Sequence, residues 1–108
     1  MPDEVPFRYE VAPQDRGVRV RAFGSLDMAT TPDLDATLTE LCAADHDLII
    51  VDLGGLDFMD SSGLRLLLNW DAFARRDGIS VHLVPGPPTV QRVFDVTGTA
   101  GVFTFRDR

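Results

Sequence analysis

The stretch Leu48-Ile49-Ile50-Val51-Asp52-Leu53-Gly54-Gly55, followed shortly by Asp60-Ser61-Ser62-Gly63-Leu64, sets a strand in front of a helix and decides the fold. Its first six residues are nearly continuous hydrophobe with β-branched content, as in a strand buried on both faces, and Gly54-Gly55 is expected to end it. Beyond the junction, Leu64, Leu67, Leu68 and Asp71 fall on one helical stripe and Leu66, Trp70 and Phe73 on the adjoining one, so a broad helix face is apolar. Arg75 and Arg76 suit the last turn, and Gly78 suits the end. Asp60 or Ser61 then serves as the N-cap, which holds two small hydroxyls where free backbone N–H groups and the positive end of the helix dipole emerge. In open α/β sheets a helix start at the carboxyl end of a strand is where function collects.

Working outward, Phe7 to Val11 and Val18 to Phe23 alternate apolar and polar residues and read as half-exposed strands, with Pro13 to Gly17 as the turn between them. A connection this short cannot cross over, so the two are antiparallel neighbours at one edge. Thr30-Thr31-Pro32-Asp33 announces a helix that runs to about Ala44, and Asp45-His46-Asp47 turns into the apolar strand, completing a βαβ unit. Ile79 to Val84 is the next strand. Pro85-Gly86-Pro87-Pro88 follows, then a helix over Thr89 to Thr97 stopped by Gly98, and a closing strand at Val102 to Phe105. The expected architecture is α/β: one domain over residues 1–108, with a mixed, mostly parallel sheet of about five strands and three helices. Met1 to Pro6 and Arg106 to Arg108 are expected to be loose ends. Three loops, Gly24 to Asp27, Gly54 to Ser62 and Pro85 to Pro88, should share one edge of the sheet.

Composition narrows the chemistry. Ten basic residues against seventeen acidic ones give a formal charge of −7, which repels a phosphate backbone and points to protein partners instead of nucleic acid. All the basic residues are arginine, so neither a P-loop nor a Schiff-base site can be built. The single cysteine, Cys42, sits at the apolar spacing of the first helix and is expected in the core, which fits a reducing compartment. No apolar run reaches the length of a membrane span, and a cytoplasmic protein with no membrane contact is expected. A serine hydrolase would need a histidine base near Ser61 or Ser62. His46 belongs at the opposite end of the sheet, His82 lies within a strand, and the motif is not a nucleophile elbow, so no catalytic residue is assigned. The acidic residues match no metal-ligand spacing, and no metal or cofactor is expected. Helix capping alone explains Asp60 and one hydroxyl. A second hydroxyl and a first-turn glycine, which costs up to about 1 kcal/mol relative to alanine, exceed what a cap requires, and such a backbone is expected to let another protein approach.

In these residues the chain resembles STAS domains, specifically the stand-alone anti-sigma factor antagonists of bacteria. The likeness rests on Gly24-x-Leu26-Asp27, on Asp52-Leu53 through Phe58-Met59-Asp60-Ser61-Ser62-Gly63-Leu64, and on Pro87-Pro88-x-Val90-x-Arg92-Val93-Phe94 with Thr97-Gly98. Where that family usually carries glutamate, this chain has Ser25. The resemblance implies a switch and not an enzyme. The serine after the aspartate, Ser61, would be the phosphoacceptor. Asp27, Asp60, Ser61, Ser62, Gly63, Pro87 and Pro88 would form the partner surface. The partners would be an anti-sigma factor serine kinase, bound by the unphosphorylated form so that a sigma factor is freed, and a phosphatase acting on phosphorylated Ser61. The free protein is expected to be a monomer. The rival expectation is a non-switching scaffold subunit of a stress-sensing or lipid-transport complex.

Overall fold

Strand alternation and helix periodicity translate into a computed structural model in which residues 6–14 and 16–107 are described. In chain order the elements are β1 (Arg8–Gln14), β2 (Gly17–Leu26), α1 (Thr31–Cys42), β3 (Leu48–Met59), α2 (Ser61–Arg76), β4 (Ser80–Val84), α3 (Pro88–Thr97) and β5 (Thr104–Phe105), with a 3-10 turn at Ala100–Val102. The sheet order is β1-β2-β3-β4-β5. β1 is antiparallel to β2, and the other pairs are parallel, as the short first connection and the three intervening helices require. Leu34, Leu38, Leu64, Leu67, Ala74, Val90 and Phe94 from the three helices share one buried cluster with Val18, Val20, Ala22, Ile49, Val51, Leu53, Val81 and Leu83. Strand alternation therefore places all three helices on one sheet face. β3 is buried on both faces, and on the helix-free face Asp52 is completely buried. Its carboxylate takes Arg19 at 2.6 Å, lies 3.8 Å from Arg21, and accepts the Gly54 N–H at 2.8 Å, the partners a buried charge needs.

Two strands run further than their sequence suggests. Gly54-Gly55 does not end β3, which continues to Met59 while β2 continues to Leu26. The extension is possible because β3 bulges twice: Arg21 and Phe23 face Asp52 and Gly55, and Gly24 and Ser25 face Leu56 and Phe58, so one extra β3 residue is absorbed each time. Gly55 is needed for close approach, since a Cβ there would stand 2.5 Å from the Phe23 ring and 2.7 Å from the Ala22 carbonyl oxygen. The expected loops at Gly24 to Asp27 and Gly54 to Ser62 are thus largely one paired ribbon. β4 stops at Val84, level with Asp52, so beyond that point β3 keeps a strand only on its β2 side, and α3 packs beside it.

At the chain's ends the differences are smaller. Pro13 and Gln14 stay in β1, tolerated because β1 is an edge strand. The closing strand is two residues long, with Val102 in the 3-10 turn. Phe103 and Phe105 hold it by stacking edge-on against Phe94, at centroid distances of 5.4 and 5.2 Å, each contact worth about 1 kcal/mol beyond its buried area. The expectation of loose ends falls mostly on Met1 to Val5 and Arg108, which lie outside the described residues. Cys42 is half-buried against the core, and burial together with the Asp77 charge pushes its thiol pKa up.

Candidate functional site

The far end of the β2–β3 ribbon carries the site. The Asp60 N–H donates to the Leu26 carbonyl at 3.2 Å, which ties the start of α2 to the end of β2 and brings Asp27 beside Asp60. Asp60 is the N-cap of α2: its Oδ1 accepts the N–H groups of Ser62 at 2.8 Å and Gly63 at 3.4 Å. Two of the N–H groups that would otherwise bind an anion are therefore already occupied. Ser61, the first helical residue, is exposed, and its hydroxyl has no partner among the described residues. Capping by Asp60 is what leaves that hydroxyl free for chemistry.

Asp27 is similarly engaged in building the backbone. Its Oδ1 accepts the N–H groups of Ala29 at 3.0 Å and Thr30 at 3.1 Å. The Thr30 hydroxyl accepts the Asp27 N–H at 2.9 Å and donates to the Ser25 carbonyl at 2.8 Å. This closed turn sets the entry to α1 and holds it against the ribbon tip. Ser62, half-buried, lines a groove between α1 and α2 with Met28, Thr31, Asp35, Arg65 and Asn69.

Gly63 plays a different part from the one expected. It is buried, and a Cβ on it would come within 2.6 Å of Met59 Cγ and 3.0 Å of Leu26 Cγ. The missing side chain lets α2 lie close on the ribbon and offers no surface to another protein. Pro87 and Pro88 begin α3, and the neighbouring Thr89 hydroxyl donates to the Asp57 carbonyl at 3.1 Å. They flank the ribbon along its side, whereas Asp27, Asp60, Ser61 and Ser62 cluster at its tip.

Three residues here were not among those expected on the partner surface. Met28 is 77% exposed and Phe58 is 48% exposed, so two large hydrophobes stand bare on the segments that flank Ser61. Phe58 stood within the family motif but in a stretch expected to be loop, and Met28 directly follows Asp27, so nothing local marked either as a bare hydrophobe. The third, Arg65, follows Ser61 by four residues on α2 and is exposed. His82 pairs with Ile50 and Thr104 inside the sheet, and burial and Arg106 lower its pKa. It lines a separate groove with Asp71 and Ser80, away from Ser61. Among the described residues no group of three or more His, Cys, Asp or Glu side chains is arranged to hold a metal ion. No helix among them is long and apolar enough to cross a membrane.

The family model described as "Mlab, STAS domain" matches residues 10–104. The chain belongs to the STAS domain family. This STAS domain is similar to the anti-sigma-B factor antagonist of Staphylococcus aureus, 28% identical over 89 residues that make up 82% of each chain. It is also similar to the protein of that name from Staphylococcus epidermidis, 26% identical over 89 residues with the same 82% coverage of each. The anti-sigma factor antagonist SpoIIAA in its unphosphorylated form aligns with a TM-score of 0.79 and 26% identity, over 94% of this chain and 88% of that one. SpoIIAA of Bacillus in its phosphorylated form aligns with a TM-score of 0.71 and 27% identity, over 95% and 91%.

Proposed function

We propose that this STAS domain is an anti-sigma factor antagonist: its unphosphorylated form binds an anti-sigma factor serine kinase through the ribbon tip, and phosphate on Ser61 ends that binding. One observation carries the reading. A serine hydroxyl stands exposed and unpartnered on the first turn of α2, and two large hydrophobes, Met28 and Phe58, are bare on the segments that lead to the ribbon tip. A kinase can reach such a hydroxyl, and a partner can cover those hydrophobes. Phosphorylation would put about −1.5 to −2 charges into that contact, next to Asp60, where desolvating an unpaired charge costs several kcal/mol. The names of the staphylococcal relatives and the two forms of SpoIIAA support the same reading.

The test combines the protein with histidine-kinase-like anti-sigma factors of its host, adds ATP and follows intact mass. A single phosphate is expected on the wild type and on Ser62→Ala, and none on Ser61→Ala. Stoichiometric phosphorylation of Ser61→Ala would move the acceptor elsewhere. Calorimetry on Ser61→Ala and Ser61→Asp separates a switch from a scaffold: a switch keeps the complex in the first and weakens it in the second, while equal affinities would favour a constitutive subunit.

A further inference from the structure

We propose that Arg65 is the residue that receives the phosphate on Ser61, so that the phosphorylated state is held by a pair within α2 itself. The inference rests on the reading of Ser61 as phosphoacceptor and adds what the phosphate does once it is there. Ser61 and Arg65 are four residues apart in a continuous helix and both are exposed. That spacing stacks their side chains on one face with Cβ atoms about 5–6 Å apart, and an acid N-terminal to its cation is the favoured orientation. The guanidinium is available: the ion pairs among the described residues engage Arg8, Arg19, Arg21 and Arg75, not Arg65.

Rival recipients are partly engaged, and the nearby acids accept hydrogen bonds elsewhere and make no ion pair with Arg65. The N–H groups of Ser62 and Gly63 are held by Asp60, so of the first-turn N–H groups only that of Ser61 itself stays open to the phosphate, and further donors have to come from side chains. Asp35, the acid across the groove that Arg65 lines, accepts the indole N–H of Trp70 at 2.7 Å, and Asp27 caps its own turn. Asp60, adjacent in sequence, repels the phosphate and adds to the need for a cation. A guanidinium binds phosphate oxygens through two parallel donors, which an ammonium cannot match.

The experiment installs phosphoserine at position 61 by genetic code expansion, so no kinase is needed, and follows the 31P chemical shift across the second ionisation of the phosphate, near pH 6. The midpoint is expected to lie lower in the wild type than in Arg65→Gln by about 0.3–0.6 of a pH unit, because Arg65 favours the dianion. Arg65→Lys should recover part of the difference, and Arg76→Gln, which removes the same charge at the other end of α2, should leave the midpoint in place. Coincident midpoints for wild type and Arg65→Gln, or an equal displacement from Arg76→Gln, would overturn the pairing. Such a result leaves the kinase reading standing, while failure of any kinase to modify Ser61 would overturn that reading and leave this titration interpretable.

Discussion

Asp27 and Asp60 are adjacent acids at the ribbon tip, and each spends an oxygen on two backbone N–H groups. Losing such a cap typically costs about 1 kcal/mol. Asp60→Ala and Asp27→Ala should therefore each lower stability by roughly 0.5–2 kcal/mol in urea titrations, and weaker partner binding by either variant should be read after correcting for that loss. Asp27 looked from sequence like an exposed loop charge, because side-chain-to-backbone bonds two and three residues ahead leave no mark on composition. Asp60 was legible as one of two candidate caps, with Ser61 the other, and the bonds from the Ser62 and Gly63 N–H groups decide for Asp60. His82 supplies the pH dependence. Its pKa in the folded chain lies below the ordinary value of 6.5, so the unfolded chain takes up the proton more readily. Stability from this residue is present above pH 6.5 and is lost as pH falls through the folded value. Denaturation at about pH 7.5 and pH 5 should show a larger drop for wild type than for His82→Gln.

Among the elements, α2 shows how packing overrides propensity. Alanine in place of Gly63 gains up to about 1 kcal/mol of helix propensity, but the new methyl collides with Met59 and Leu26, both buried, and overpacking costs about 1–3 kcal/mol. Gly63→Ala should be net destabilised in thermal or urea unfolding, and a stabilised variant would mean that α2 can lift off the ribbon without loss. The sequence showed where α2 begins and which faces are apolar, because a 3.6-residue period survives over its four turns. It did not show the length of β2 and β3. Gly54-Gly55 reads locally as a stop, and only pairing with β2 through two bulges turns the following residues into strand. The same limit explains Gly63: a glycine that serves a neighbour and a glycine that serves a partner look alike until the neighbour is in place.

For the molecule as a whole, the sequential strand order and the single helical layer put Ser61, the proposed phosphoacceptor, just past the most lopsided part of the sheet. Ile49 to Asp52 are flanked by strands on both sides, whereas Leu56 to Met59 pair with β2 alone and lean on α3. This overhang grades the strand in opening free energy along its length, and backbone amides report that grading as rates of exchange with solvent deuterium. Amides of β3 should exchange slowly at Ile49 to Asp52 and progressively faster toward Met59. A phosphate on Ser61 should alter exchange most at Phe58 to Leu64 and leave Ile49 to Asp52 unchanged, which mass spectrometry of the two forms can resolve. A change reaching Ile49 would mean that the bulged ribbon transmits strain; its absence would mean that the bulges act as a slack joint, able to absorb a new charge at one end while the rest of the sheet stays still.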